Sequence, residues 1–280
     1  MKIRHVAILL FLAGCVDLSA VTKFSQTAPD VAKLDVLTDL YVSDPQTMGE
    51  WQSVWVTPDP ALALTTTDRE KQKPVFDELH ALIVNYMKAL GQLADSKVTD
   101  LSGQAKAVSS NLVSLQKSDD IKITAAQAAR IGDLVTVIPQ DLLSIWRGYE
   151  IGRLIKRNQA AFQAMIYTEI VIVQRYESDY HQLLAVVTDT AGMMDAAIRH
   201  EANPLARAAR FAFRKDVAQT TDRFTAANSA AQKYVVALQK LGAAYDTLVQ
   251  NSDHFTAATL QAILPDLNDA TKAYADIMSL

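Results

Sequence analysis

The side chains able to do chemistry in this 280-residue chain are five histidines, 31 carboxylates, one cysteine and a scatter of serines. A di-iron centre in a helical bundle needs Glu-x-x-His on two helices and a further Glu on each of two others. The nearest fragments are Asp77-x-x-His80 and Glu177-x-x-x-His181, and neither has that form. Both read as carboxylates and histidines on solvated helix faces. His-Glu-x-x-His is absent, as is any cysteine pair for zinc, so no metal or other cofactor is expected. Gly-x-Ser-x-Gly and phosphate-cradling glycine loops are also missing, and the serines fall mainly in turns and on polar faces. Asp119 and Asp120 are adjacent, but in an expected turn where hydration accounts for them. The pattern points away from an enzyme.

What remains is charge and aromatic surface. Arg207, Arg210 and Arg214 recur at three- and four-residue intervals, which places them on one helix face. Lys215 lies beside them, and Arg199 and His200 stand just upstream. This cluster is a candidate contact for an acidic protein face, peptidoglycan or lipopolysaccharide phosphate. With Glu201 and Asp216 nearby, a solvated face is the simpler reading of the same residues. Arg147, Arg153, Lys156 and Arg157 form a second cluster at an expected joint between helices, where capping of carbonyls explains them. Trp51 and Trp55 fall in an irregular stretch, either plugging the core or exposed for a partner. Trp146 reads as core, and the Met193-Met194 pair as gap-filling at the end of a long helix.

The N-terminus has a grammar of its own. Met1-Lys2-Ile3-Arg4-His5 is cationic, and Val6 to Ala13 is apolar, the order of an export signal. That run is too short for a bilayer, which takes about 20 apolar residues. Leu12-Ala13-Gly14-Cys15 resembles the lipobox of bacterial lipoproteins, in which an apolar and two small residues precede a cysteine. The resemblance covers residues 1–15 and extends no further. It implies cleavage between Gly14 and Cys15, a diacylglycerol on the Cys15 thiol, and a fatty acyl chain such as palmitate on the new amino group. Stable anchoring takes more than one chain, and such a cysteine carries several. In that class an aspartate directly after the cysteine favours the inner membrane. Val16 stands there, with Asp17 one further on, so the expected address is the outer membrane, facing the periplasm. Cys15 is the only cysteine, which leaves no disulfide framework to explain it.

Composition narrows the body. The chain carries 27 basic and 31 acidic residues, a net charge of −4. Removing residues 1–14 takes away Lys2 and Arg4 and no acid, so 25 bases then face 31 acids. A mildly acidic protein is not a general nucleic-acid binder. Half the residues are hydrophobic, while glycine and proline number only nine and eight, a composition that favours helices around a sizeable core. No segment after the signal reaches the length of an uncharged apolar span. The nearest, Ala160 to Val173, is interrupted by Gln163 and Glu169.

The elements follow from apolar spacing. Residues 15–30 read as lipid anchor and tether, and 31–68 as a short helix (Val31 to Leu40) followed by an irregular stretch holding Pro45, Pro58 and Pro60. A helical-bundle domain occupies 69–280. Its stripes run through Phe76, Leu79, Ile83, Tyr86 and Leu90, then Leu101 to Leu115, then Ala128 to Tyr149 with a kink at Pro139. Asp68 and Thr124 are the expected N-caps. A long helix capped by Asn158 reaches about His200, and Asn203-Pro204 turns into a second one ending near Leu248. A last helix follows Thr256 and contains Pro265. The predicted fold is all-α: an elongated antiparallel bundle, coiled-coil-like in its spacing, with two long helices and several shorter ones. One end of the long pair is expected to stand alone.

Together these features predict a membrane-anchored, non-enzymatic binding or spacer module of the cell envelope. An immunity or inhibitor lipoprotein against a toxin, and an envelope-associated accessory hydrolase, are the competing expectations.

Overall fold

The structure is a computed structural model that describes residues 17–27, 35–53, 60–95, 124–126, 147–199 and 203–277. Among them run six helices of eight residues or more, and no strand. They are α1 (Ser19–Gln26), α2 (Asp35–Gln52), α3 (Pro60–Ala94), α4 (Arg147–Ile198), α5 (Pro204–Gln250) and α6 (Ala257–Ile277). The all-α antiparallel bundle read from the sequence is the architecture found.

α4 and α5 form its spine, with 52 and 47 residues. At about 1.5 Å per residue they span roughly 78 and 70 Å. Contacts between side chains set the register. Arg69, His80 and Tyr86 of α3 meet Asp179, Glu169 and Phe162 of α4, so these two helices are antiparallel. Tyr234 and Lys240 of α5 meet Tyr274 and Asp266 of α6, again antiparallel. α1 and α2 lie one after the other against the spine. Phe24 of α1 packs 5.9 Å from Phe162 and 5.7 Å from Tyr245, while Tyr41 of α2 stacks 4.3 Å from Tyr176. One continuous core runs from Ala20 to Tyr274, and nearly every inward side chain lies on a three-or-four-residue stripe. No helix among the described residues is long and apolar enough to cross a membrane.

Three expectations need correction. Residues 42–52 and 60–68 are helical, not irregular, and α2 and α3 continue through Pro45 and Pro74. A proline inside a helix costs about 3 kcal/mol. Burial of Tyr41 and Trp51 in α2, and of Phe76, Leu79 and Ile83 in α3, offsets that cost. Asp68 therefore lies within α3, paired with Lys71, and caps nothing. Asn158 likewise is buried inside α4, which starts at Arg147. The basic residues Arg147, Arg153, Lys156 and Arg157 thus belong to one continuous helix and mark no joint.

The third correction concerns the tether. Its described part, residues 17–27, is packed: Ala20, Val21 and Phe24 are fully buried, and the Asp17 N–H donates to the Phe255 carbonyl at 3.3 Å. Phe255 belongs to the corner between α5 and α6, so the start of the described chain is fixed at the base of the spine, opposite the α4–α5 turn.

That base is closely packed. A Cβ at Gly152 would stand 1.7 Å from the backbone oxygen of Ser252, whereas one at Gly192 meets nothing within 4 Å. The two glycines therefore predict opposite outcomes in thermal or urea melts. Gly152→Ala must part α4 from the α5–α6 corner and should cost about 3 kcal/mol. Gly192→Ala should stabilise by about 0.5–1 kcal/mol, through the helix preference of alanine alone.

Candidate functional site

The cationic cluster sits where the sequence places it, at the α4–α5 turn. Asn203 has extended backbone and its side chain accepts from the Leu205 N–H at 2.9 Å, with Pro204 at the first helical position. α5 therefore starts at once and runs back along α4, bringing Arg210 and Arg214 opposite Asp195. Arg210 reaches Asp195 Oδ1 at 2.6 Å and Arg214 reaches the same oxygen at 2.7 Å, while Arg199 lies 3.6 Å from Oδ2. Hydrogen bonds from Arg210 and then Arg214 hold the Asp195 carboxyl below its usual range. Three guanidiniums thus share one carboxylate. Arg207 is exposed and is not among the arginines paired with Asp195. Asp195 is the residue that helix-face reasoning missed, because it belongs to the other helix.

Among the described residues no side chain in 191–199 or 203–223 is fully buried, and of this stretch Phe213 and Val217 still reach the core, so the packing thins toward the end of the spine. Leu205 is 75% exposed and Phe211 74%, and Met193 is 50% exposed where gap-filling was expected. Trp51 settles as core: it is buried at the end of α2, 5.7 Å from Phe213. Cys15, Gly14, Trp55, Trp146, His200 and the Asp119-Asp120 pair lie outside the described residues.

A second polar assembly lies deep in the body. His80 Nδ1 is 2.7 Å from Glu169 Oε1, and the Tyr234 hydroxyl donates to the same oxygen at 2.5 Å. Burial pushes the Tyr234 phenol well above its ordinary range, so it stays a donor. His80 is thus core, not the solvated residue expected, while Asp77 pairs with Lys73 at 2.9 Å. His181 is exposed. No group of three or more His, Cys, Asp or Glu suited to a metal occurs among the described residues.

Higher along the spine, Arg69 pairs with Asp179 and donates to the Tyr41 carbonyl at 2.8 Å. Its guanidinium lies 4.0 Å over the Tyr41 ring. Asp44 is 1% exposed and neither carboxyl oxygen has a hydrogen-bond partner. Burial pushes its carboxyl up to about 8, against the pull of Arg69. These groups are buried between helices in the core.

Fold and surface together define an elongated helical bundle whose α4–α5 end carries cations and exposed apolar side chains. Comparison with protein-family models, with curated proteins and with solved structures finds no match.

Proposed function

We propose that this chain is a lipid-anchored, non-enzymatic spacer and binding module of the bacterial envelope. Lipid on Cys15 holds the base at a membrane, and the α4–α5 end is the contact surface. The observation that carries the reading is the position of Asp17. It lies two residues after Cys15 and bonds to Phe255 at the base, while the cationic end is the length of α5 away, about 70 Å. Anchor and contact surface are thus separated by the long axis of the molecule. The expected setting is the outer membrane facing the periplasm, with an envelope protein, an anionic envelope polymer or a membrane surface as partner and no nucleic acid. A helical rod with its polar groups locked in the core suits spacing and binding more than catalysis.

The test is chemical. In cells fed an alkyne-tagged palmitate, the wild-type protein should take up label and its mature N-terminal peptide should begin at Cys15 with the mass of the lipid. Cys15→Ser should lose the label. A mature N-terminus elsewhere, or label that survives the substitution, contradicts the anchor.

A further inference from the structure

We infer that the α4–α5 end docks on the surface of an anionic lipid leaflet, with Phe211 and Leu205 entering the interface and the surrounding arginines and lysine meeting lipid phosphates. The inference rests on the reading of this end as the contact surface and is independent of the lipid on Cys15.

Four observations lead there. The end is thinly packed, since among the described residues no side chain in 191–199 or 203–212 is fully buried. Leu205 and Phe211 are the two most exposed large hydrophobic side chains among the described residues, and Met193 of the facing helix adds a third. Phe211 has Arg207 four residues before it, Arg214 three after and Lys215 four after, the intervals that put side chains on one helix face. Phe211 therefore shares its stretch of α5 with three cations. Finally, Arg199, Arg210 and Arg214 share the single carboxylate of Asp195, which leaves positive charge uncompensated. Residues 195–216 hold five basic residues against three acids, a local excess of positive charge in a chain whose net charge is −4.

The combination selects an amphiphile. A soluble polyanion or a glycan strand would engage the cations and leave Leu205 and Phe211 in water. An acidic protein face would need cavities shaped to take two exposed apolar side chains set six residues apart on α5. A leaflet needs no shaped cavity: its headgroups supply negative charge, its acyl region takes the apolar groups, and basic residues near it gain from the surface potential.

The test uses residues 15–280 with Cys15→Ser. It carries no lipid, and it keeps the whole described core, which runs from Ala20 to Tyr274. Co-sedimentation with phosphatidylcholine vesicles, and with vesicles holding 30% phosphatidylglycerol, should show binding to the anionic set alone, weakening as salt rises. The double substitution Leu205→Ala/Phe211→Ala should weaken binding about tenfold or more, and Arg207→Glu/Lys215→Glu should abolish it. All four residues are exposed, so the circular-dichroism melt should not move. Equal binding to neutral vesicles, or full binding by the Leu205/Phe211 variant, overturns the proposal. So does retention on isolated peptidoglycan or on an acidic protein without vesicle binding. None of these failures touches the palmitate label on Cys15, so the anchor stands or falls separately.

Discussion

Arg69→Met should destabilise the bundle by about 3–5 kcal/mol, the loss expected when one partner of a buried ion pair is removed. Arg69 is buried on α3 and holds three elements together. It pairs with Asp179 on α4, donates to the backbone carbonyl of Tyr41 on α2 at 2.8 Å, and lies 4.0 Å over the Tyr41 ring. Methionine keeps the stem and removes every polar contact. Asp179 then loses its buried partner, while Arg175, 3.4 Å away and more exposed, stays beside it. The pair's own net contribution is smaller than this loss, since desolvation opposes the attraction. Adding Asp179→Leu to Arg69→Met should therefore recover part of the stability, so that the double variant is less damaged than the sum of the singles. Urea midpoints at pH 7 measure both. A single-variant loss below about 1 kcal/mol would mean that water reaches the pair.

Asp44→Asn should stabilise the protein by about 4 kcal/mol at pH 7, an unusual direction for a core substitution. The folded carboxyl titrates at about 8 against 3.8 for the ordinary side chain, because burial opposes its charge. Arg69 and Arg223 pull the value down and Asp179 pushes it up, and burial outweighs them. A folded pKa above the unfolded one means that the folded state binds more protons, so stability falls as pH rises through the interval between the two values. Each unit corresponds to about 1.4 kcal/mol. The gap between Asp44→Asn and wild type should thus be near zero at pH 4, widen by about 4 kcal/mol between pH 5 and pH 8, and level off above that. Comparing the two proteins at each pH cancels the other carboxylates. A gap that does not change with pH would show Asp44 to be ionised and solvated in the folded state.

These two sites also show where sequence reading runs out. The spine was legible because its stripes are local: Phe162, Ile166, Val173, Tyr180 and Val187 on one helix, Phe224, Ala231, Tyr234, Leu238 and Tyr245 on the other, all buried. Asn203-Pro204 carried its own capping chemistry and named the turn. α2 and the start of α3 were not legible, because Pro45, Pro60 and the run Thr65 to Thr67 argue locally against helix. What overrides them is tertiary, the packing of Tyr41 on Tyr176 and Trp51 on Phe213. The buried polar groups had no local signature at all. Arg69 and Asp179 are 110 residues apart and His80 and Glu169 are 89 apart, and only the register of α3 on α4 joins them. At the candidate site the arginine face could be read from spacing within one helix. Asp195, which gathers those arginines, could not, since it depends on how α5 folds back along α4. The exposure of Leu205 and Phe211 is likewise a fact about where the packed body stops.

The central claim is that anchor and contact surface occupy opposite ends of one rod. Neutron reflectometry of the lipidated protein on a supported phosphatidylcholine bilayer, which offers the cationic end no anionic surface, tests it directly. The account predicts a protein layer about 70 Å thick, the length of α5, with the hairpin end outermost. A layer about 25–30 Å thick, the width of a few packed helices lying flat, would contradict it.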